Sequence, residues 1–107
     1  MSDLVGKTVL VGITCVDPAG SEVDEFQTFG TIEEADEQWI GLRRPGLSEL
    51  FGLPPVRELL EPAAEGLYTL RASGEQIESP DFVATLQVSV ADAESMLTIR
   101  GVGFVPQ

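Results

Sequence analysis

Histidine is absent from this sequence, and basic residues are scarce: six Lys and Arg stand against 18 Asp and Glu, for a net charge of −12 and a pI near 4.1. Without imidazole the commonest general base and metal ligand is missing, and Ser-His-Asp and Cys-His mechanisms are excluded. An acidic surface repels phosphate backbones and anionic bilayers, so neither nucleic acid nor a membrane is an expected partner. One cysteine, Cys15, leaves no internal disulfide framework. It sits in an apolar run with no cation close in sequence to activate the thiol. Aromatic residues make up 7% of the chain, too few for a base-stacking platform. No apolar run approaches the roughly 20 residues of a membrane span. Met1-Ser2-Asp3-Leu4 opens without the basic and apolar regions of a signal peptide, so the expected location is the cytoplasm.

What is present is aliphatic and acidic. Hydrophobic residues reach 43% with a mean hydropathy of +0.13, and 107 residues form one domain, 1–107, able to bury a core without a metal or a staple. The acids are concentrated. From Thr8 to Leu42 there is no Lys or Arg, while Asp17, Glu22, Asp24, Glu25, Glu33, Glu34, Asp36 and Glu37 all fall there. Paired carboxylates serve a glycosidase only when they flank a cleft at a set separation; here they cluster on expected turns. The run Asp17 to Glu25 lacks the alternating oxygen ligands of a calcium loop. Gly101-Val102-Gly103 opens no phosphate-binding helix. The expectation is a protein that is not an enzyme, with no cofactor and no metal.

The pattern reads mainly as strands. Lys7 to Val16 is rich in β-branched residues and apolar or small on both faces, as a central strand is. Asp17-Pro18-Ala19-Gly20 turns the chain into a second strand, Glu22 to Ile32, in which Gly30 marks a bend or bulge. Residues 31–43 admit two readings. Thr31-Ile32-Glu33-Glu34 fits a helical capping box. The alternative is a hairpin of Ile32 to Ala35 and Trp39 to Arg43 about Asp36-Glu37-Gln38, favoured by the shortness of the segment, by Gly41 and by the stop at Arg44-Pro45-Gly46. Further strands are expected over Leu47 to Leu53, Gly66 to Ala72, Phe82 to Ala91 and Met96 to Val105. A short helical segment is expected near 56–61 with Val56, Leu59 and Leu60 inward, and a loop at Asp92-Ala93-Glu94-Ser95. Short strands at this spacing predict an all-β fold, mainly antiparallel, built as a small barrel or sandwich.

The hairpin Gly30-Thr31-Ile32-Glu33-Glu34-Ala35-Asp36-Glu37, followed by Ile40 and Leu42, resembles those of SH3-like and Sm-like barrels. Over roughly residues 3 to 90 the arrangement is similar to a family of small uncharacterised bacterial proteins. Val5-Gly6-Lys7, Leu53-Pro54-Pro55, Glu61-Pro62-Ala63, Ser73-Gly74-Glu75 and Pro80-Asp81-Phe82 carry the likeness. The resemblance implies a compact SH3-like β-barrel and brings no activity with it.

These observations favour a non-catalytic acidic module that binds a protein partner, with a basic partner suited to its charge. The candidate binding residues are Trp39 as an aromatic anchor, with Asp24, Glu25, Glu33, Glu34, Asp36 and Glu37 around it. Two alternatives stand beside it. One is a structural homo-oligomer that covers an apolar face or unpaired edge in Val83 to Val90 and Met96 to Val105. The other is a small-ligand-binding barrel in which Arg71 and Arg100 face inward to meet an anion; the separate basic pair Arg43-Arg44 is suited to neutralising part of the adjacent acidic surface, or else to holding an anionic group.

Overall fold

The structure, a computed structural model, describes residues 2–71 and 73–104. Its first long strand, β1 (Thr8–Val16), lies between two neighbours, as its two apolar faces require. On one side it pairs antiparallel with β2 (Glu22–Ala35), setting Ile13 opposite Phe26. β2 turns into β3 (Ile40–Arg43), and β3 pairs with β4 (Leu50–Leu53). Then follow a single 3-10 turn (Arg57–Leu59), the short β5 (Glu61–Pro62), and a separate two-stranded ribbon of β6 (Leu67–Thr69) and β7 (Gln76–Glu78). The chain returns as β8 (Phe82–Ser89), which pairs parallel with the other side of β1 and, at its start, antiparallel with β5. The large sheet is therefore mixed, in the order β4-β3-β2-β1-β8-β5.

Residues 31–43 form the hairpin. The Asp36 carboxylate accepts hydrogen bonds from the amides of Gln38 (2.8 Å) and Trp39 (3.2 Å), so a turn satisfies amides that a helix would otherwise have claimed. One sheet face carries Val9, Val11, Ile13 and Cys15, with Phe26, Ile32, Ile40, Leu42, Phe51, Leu53 and Ala84 joining them in the core. Phe26 and Phe51 meet edge to face with ring centroids 6.4 Å apart, although β3 separates their strands. They can touch only because the sheet curls over this face. β2 is where the curl is built: it pairs with β1 as far as Thr31 and with β3 from there on, with an irregularity between Ile32 and Glu34. At that change of partner, a β-carbon on Gly30 would lie 2.8 Å from the Arg43 carbonyl oxygen. The curl stops short of closure. β4 and β5 end the ladder without pairing to each other among the described residues, so the expected barrel is an open, half-wrapped sheet.

The largest departure from the sequence reading lies near the C-terminus. Where a strand over Met96 to Val105 was expected, the chain forms a helix, α1 (Ala93–Val102), and the expected loop at Asp92-Ala93-Glu94-Ser95 is its beginning. Asp92 is the N-cap, its carboxylate accepting from the Ser95 amide at 2.8 Å. Met96 and Ile99, one turn apart, pack on the core, which leaves Leu97 exposed. A short apolar run carries both periods, and here the cap decides between them. Val105 lies outside the described residues. Smaller corrections concern ends: the strand expected from Leu47 begins at Leu50, and the helical segment near 56–61 contracts to one 3-10 turn. That turn buries Leu60 while Val56 stays exposed. Gln76–Glu78, which carried no expected element, pairs with β6. No helix among the described residues is long and apolar enough to cross a membrane.

Candidate functional site

The candidate residues of the acidic stretch were expected to form one binding face; the structure turns six of the seven inward on their own chain. Trp39 lies across the cross-strand pair Gly41 and Gly52, close enough that a β-carbon on Gly52 would sit 2.9 Å from its ring. Its indole N–H donates to Glu34 at 3.0 Å. Trp39 is thus half-buried cladding on the outer face of β3 and β4. Glu33 accepts two bonds from Arg43 (2.7 and 3.2 Å) across the β2–β3 pairing, and Glu25 accepts from Arg71. Asp24 takes both Nε and Nη2 of Arg100, tying the last turn of α1 to β2. These hydrogen bonds hold the Asp24 carboxyl below the usual carboxylate range. Asp36 is spent on its turn. Only Glu37 has no hydrogen-bond or ion-pair partner among the described residues. The Cys15 thiol beneath this region is buried, and burial, aided by the Asp24 charge, pushes its pKa up.

The open side of the sheet offers a different place. Between the edge of β4 and the outer edge of β8, under α1, runs a cleft of about 600 Å³. Its lining is mainly apolar, with Ile13, Leu53, Leu86, Val88, Ile99 and Phe104 among its residues, and hydroxyls of Ser89, Ser95 and Thr98 at intervals. No charged side chain among the described residues lines it. Two facts of local structure keep it there. β5 pairs only with Phe82 and Val83, so no strand among the described residues covers β8 from Ala84 onward. At the other wall the chain leaving α1 docks on β4, the Phe104 amide donating to the Gly52 carbonyl at 2.8 Å. That close approach is possible because Gly52 and Gly103 lack β-carbons, and Gly103 adopts φ 69°. The sequence points to an apolar face or unpaired edge in Val83 to Val90 and Met96 to Val105. The structure leaves β8 without a strand partner beyond Val83 but makes Met96 to Val102 part of the helix that roofs the cleft, which the sequence alone does not show.

A second, polar recess of about 250 Å³ opens among Phe26, Thr28, Arg44, Ser73, Glu75 and Arg100. The Arg44 guanidinium lies 4.8 Å above the Phe51 ring, and that of Arg100 lies 5.0 Å above the Phe26 ring. Arg71, expected alongside Arg100, is instead committed to Glu25 at the surface. Compared with known proteins, the chain matches no family model, and no curated protein or solved structure shows significant similarity to it.

Proposed function

We propose that this chain is a non-catalytic protein-binding module with an SH3-like hairpin, and that it takes an extended basic segment of a partner into the cleft between β4 and β8. The observation that carries the reading is that no strand among the described residues pairs with the outer edge of β8 from Ala84 to Ser89, next to an apolar trough; the 3-10 turn Arg57–Leu59 packs beside β8. A free strand edge presents backbone donors and acceptors to an incoming strand, and adjacent apolar pockets select alternate side chains. Charge selects the partner. With a net charge of −12 and no cation in the cleft lining, a segment with apolar residues on one side and Lys or Arg on the other is drawn in. A second copy of this chain would bring the same negative charge and be repelled at low salt.

The test is an NMR titration with a short peptide alternating valine and lysine. Expected are saturable shifts and slowed amide exchange at Leu86 to Ser89, weakening as salt is raised. Methylating alternate backbone nitrogens of the peptide removes its strand-pairing donors and should abolish binding. Equal binding by the methylated peptide, or no response along β8, would overturn the reading. A second reading has its own support: about 600 Å³ lies within the range of small-molecule pockets, roughly 300–1,000 Å³. An apolar small molecule would fill the cleft without any change in amide exchange along β8.

A further inference from the structure

Arg44 is anomalous in this chain. Eighteen acids are available to six cations, and Arg43, Arg57, Arg71 and Arg100 each hold a carboxylate within ion-pair distance. Of the other two cations, exposed Lys7 holds none among the described residues, and neither does half-buried Arg44. Its Nη2 donates to the Gly101 carbonyl at 2.8 Å, and its Nε is buried without a hydrogen-bond partner. Burial lowers its pKa from the ordinary guanidinium value, against the opposing charge of Glu49, the sign of a cation drawn partly out of water with no carboxylate at ion-pair distance. The group stays protonated nonetheless. Across the recess Arg100 spends Nε and Nη2 on Asp24, and its Nη1 has no partner among the described residues. The two guanidiniums rest on a chain of rings, Arg44 over Phe51, Phe51 against Phe26, and Arg100 over Phe26. Their positions are therefore set by the core and not by solvent. Thr28, on the same β2 face as Phe26, and Ser73 add hydroxyls to the lining.

We infer that this recess is a binding site for a compact oxyanion, a phosphate or a carboxylate group, held between the guanidiniums of Arg44 and Arg100. The chemistry fits: guanidiniums bind such groups through charge-assisted, in-plane hydrogen bonds, and a hydroxyl donor completes the shell. The volume of about 250 Å³ admits a phosphate or a small carboxylate and not a nucleotide. The repulsion of the remote acids is screened beyond about 8–10 Å at physiological ionic strength. Three acids stand near: Asp24, already paired with Arg100, Glu49, whose charge acts on Arg44, and Glu75, whose side chain is exposed at the recess and whose backbone, not its carboxylate, makes the turn bonds to Leu70 and Ser73. The site shares no lining residue with the cleft between β4 and β8, so it stands or falls apart from the peptide reading.

The experiment follows the arginine side-chain N–H resonances by NMR as inorganic phosphate is added to the intact protein, with acetate as a parallel titration at matched ionic strength. Expected are saturable shifts at Arg44 and Arg100, with Arg43 and Arg57 unmoved. Saturation by acetate as well as phosphate assigns a carboxylate-type ligand; saturation by phosphate alone assigns a phosphate. Two variants sharpen it. Arg44→Lys keeps the charge but loses the planar fork, and should weaken binding roughly tenfold, the factor for one charge-assisted hydrogen bond. Glu75→Gln leaves the fold untouched and should tighten binding about 2- to 5-fold by removing an exposed like charge. Linear shifts spread equally over all the arginines, or unchanged affinity in Glu75→Gln, would overturn the site.

Discussion

Two glycine-to-alanine substitutions, 49 positions apart, should move stability in opposite directions. In Gly52→Ala the new methyl meets the Phe104 carbonyl oxygen on one side and the Trp39 ring, 2.9 Å away, on the other. Neither neighbour can step aside cheaply. Trp39 is tethered by its bond to Glu34 and rests on Gly41, and Phe104 is fixed by the amide it donates to the Gly52 carbonyl. Overpacking of this kind costs about 1–3 kcal/mol. At about 4–8 °C per kcal/mol for a domain of this size, the melting temperature should fall by roughly 5–20 °C. Gly101→Ala is the control. Gly101 lies within α1, exposed, with nothing within 4 Å of the added carbon, and alanine there should stabilise by up to about 0.5–1 kcal/mol. Thermal unfolding by circular dichroism reads the sign, and emission from the single tryptophan reports whether its ring has been displaced. A Gly52→Ala protein that melts with or above the parent, with unchanged emission, would refute the packing of the Gly103–Phe104 segment against β4.

Acid should loosen the attachment of α1. Because Arg100 holds the Asp24 carboxyl below its usual value of 3.8, that pair contributes stability above pH 4 that is lost as pH falls through the depressed value. Asp24→Asn should therefore be less stable near neutrality and show a flatter dependence below pH 4, as measured by urea unfolding across that range. Cys15 should be inert to a thiol reagent at pH 8 in the native protein and react fully in denaturant, since it is buried and its thiol pKa is raised; rapid labelling of the native state would contradict its place on the core face of β1.

The parts of this fold that were legible are those whose signal is local. β1 announced itself by two apolar faces, and the hairpin from Ile32 to Arg43 by an acidic turn that a single carboxylate, Asp36, organises. The alternation of Phe82, Ala84, Leu86, Val88 and Val90 identified β8 and its inward face, but pairing direction is not written in alternation. That β8 runs parallel to β1 depends on where the chain has travelled in between. α1 was misread because Met96, Leu97 and Ile99 satisfy either period, and the deciding feature, Asp92 capping Ser95, looked like loop chemistry. The candidate site was harder still. Counting acids between Asp24 and Glu37 gave a charge, whereas their function in the fold depends on arginines at 43, 71 and 100, two of them far away in sequence. Long-range pairing turned an apparent binding face into a set of internal fastenings, and the cleft appears only once α1 is seen to be a helix.

The parallel contact between β1 and β8 also constrains the order in which the molecule can be assembled. Thr8 and Asp81, 73 positions apart, exchange hydrogen bonds at the start of that pairing, whereas β1 to β4 form a meander of neighbours. During synthesis the meander is complete long before β8 has left the ribosome, and one flank of β1 must wait with its backbone groups unpaired. Closing so long a loop adds little to the equilibrium cost but slows the search, toward the millisecond-to-second range of sheets with distant partners. Through that interval the most apolar strand of the chain is an open template for another nascent copy. The abundance of like charge around it, concentrated from Asp17 to Glu37 in the segment made next, keeps such copies apart until β8 arrives.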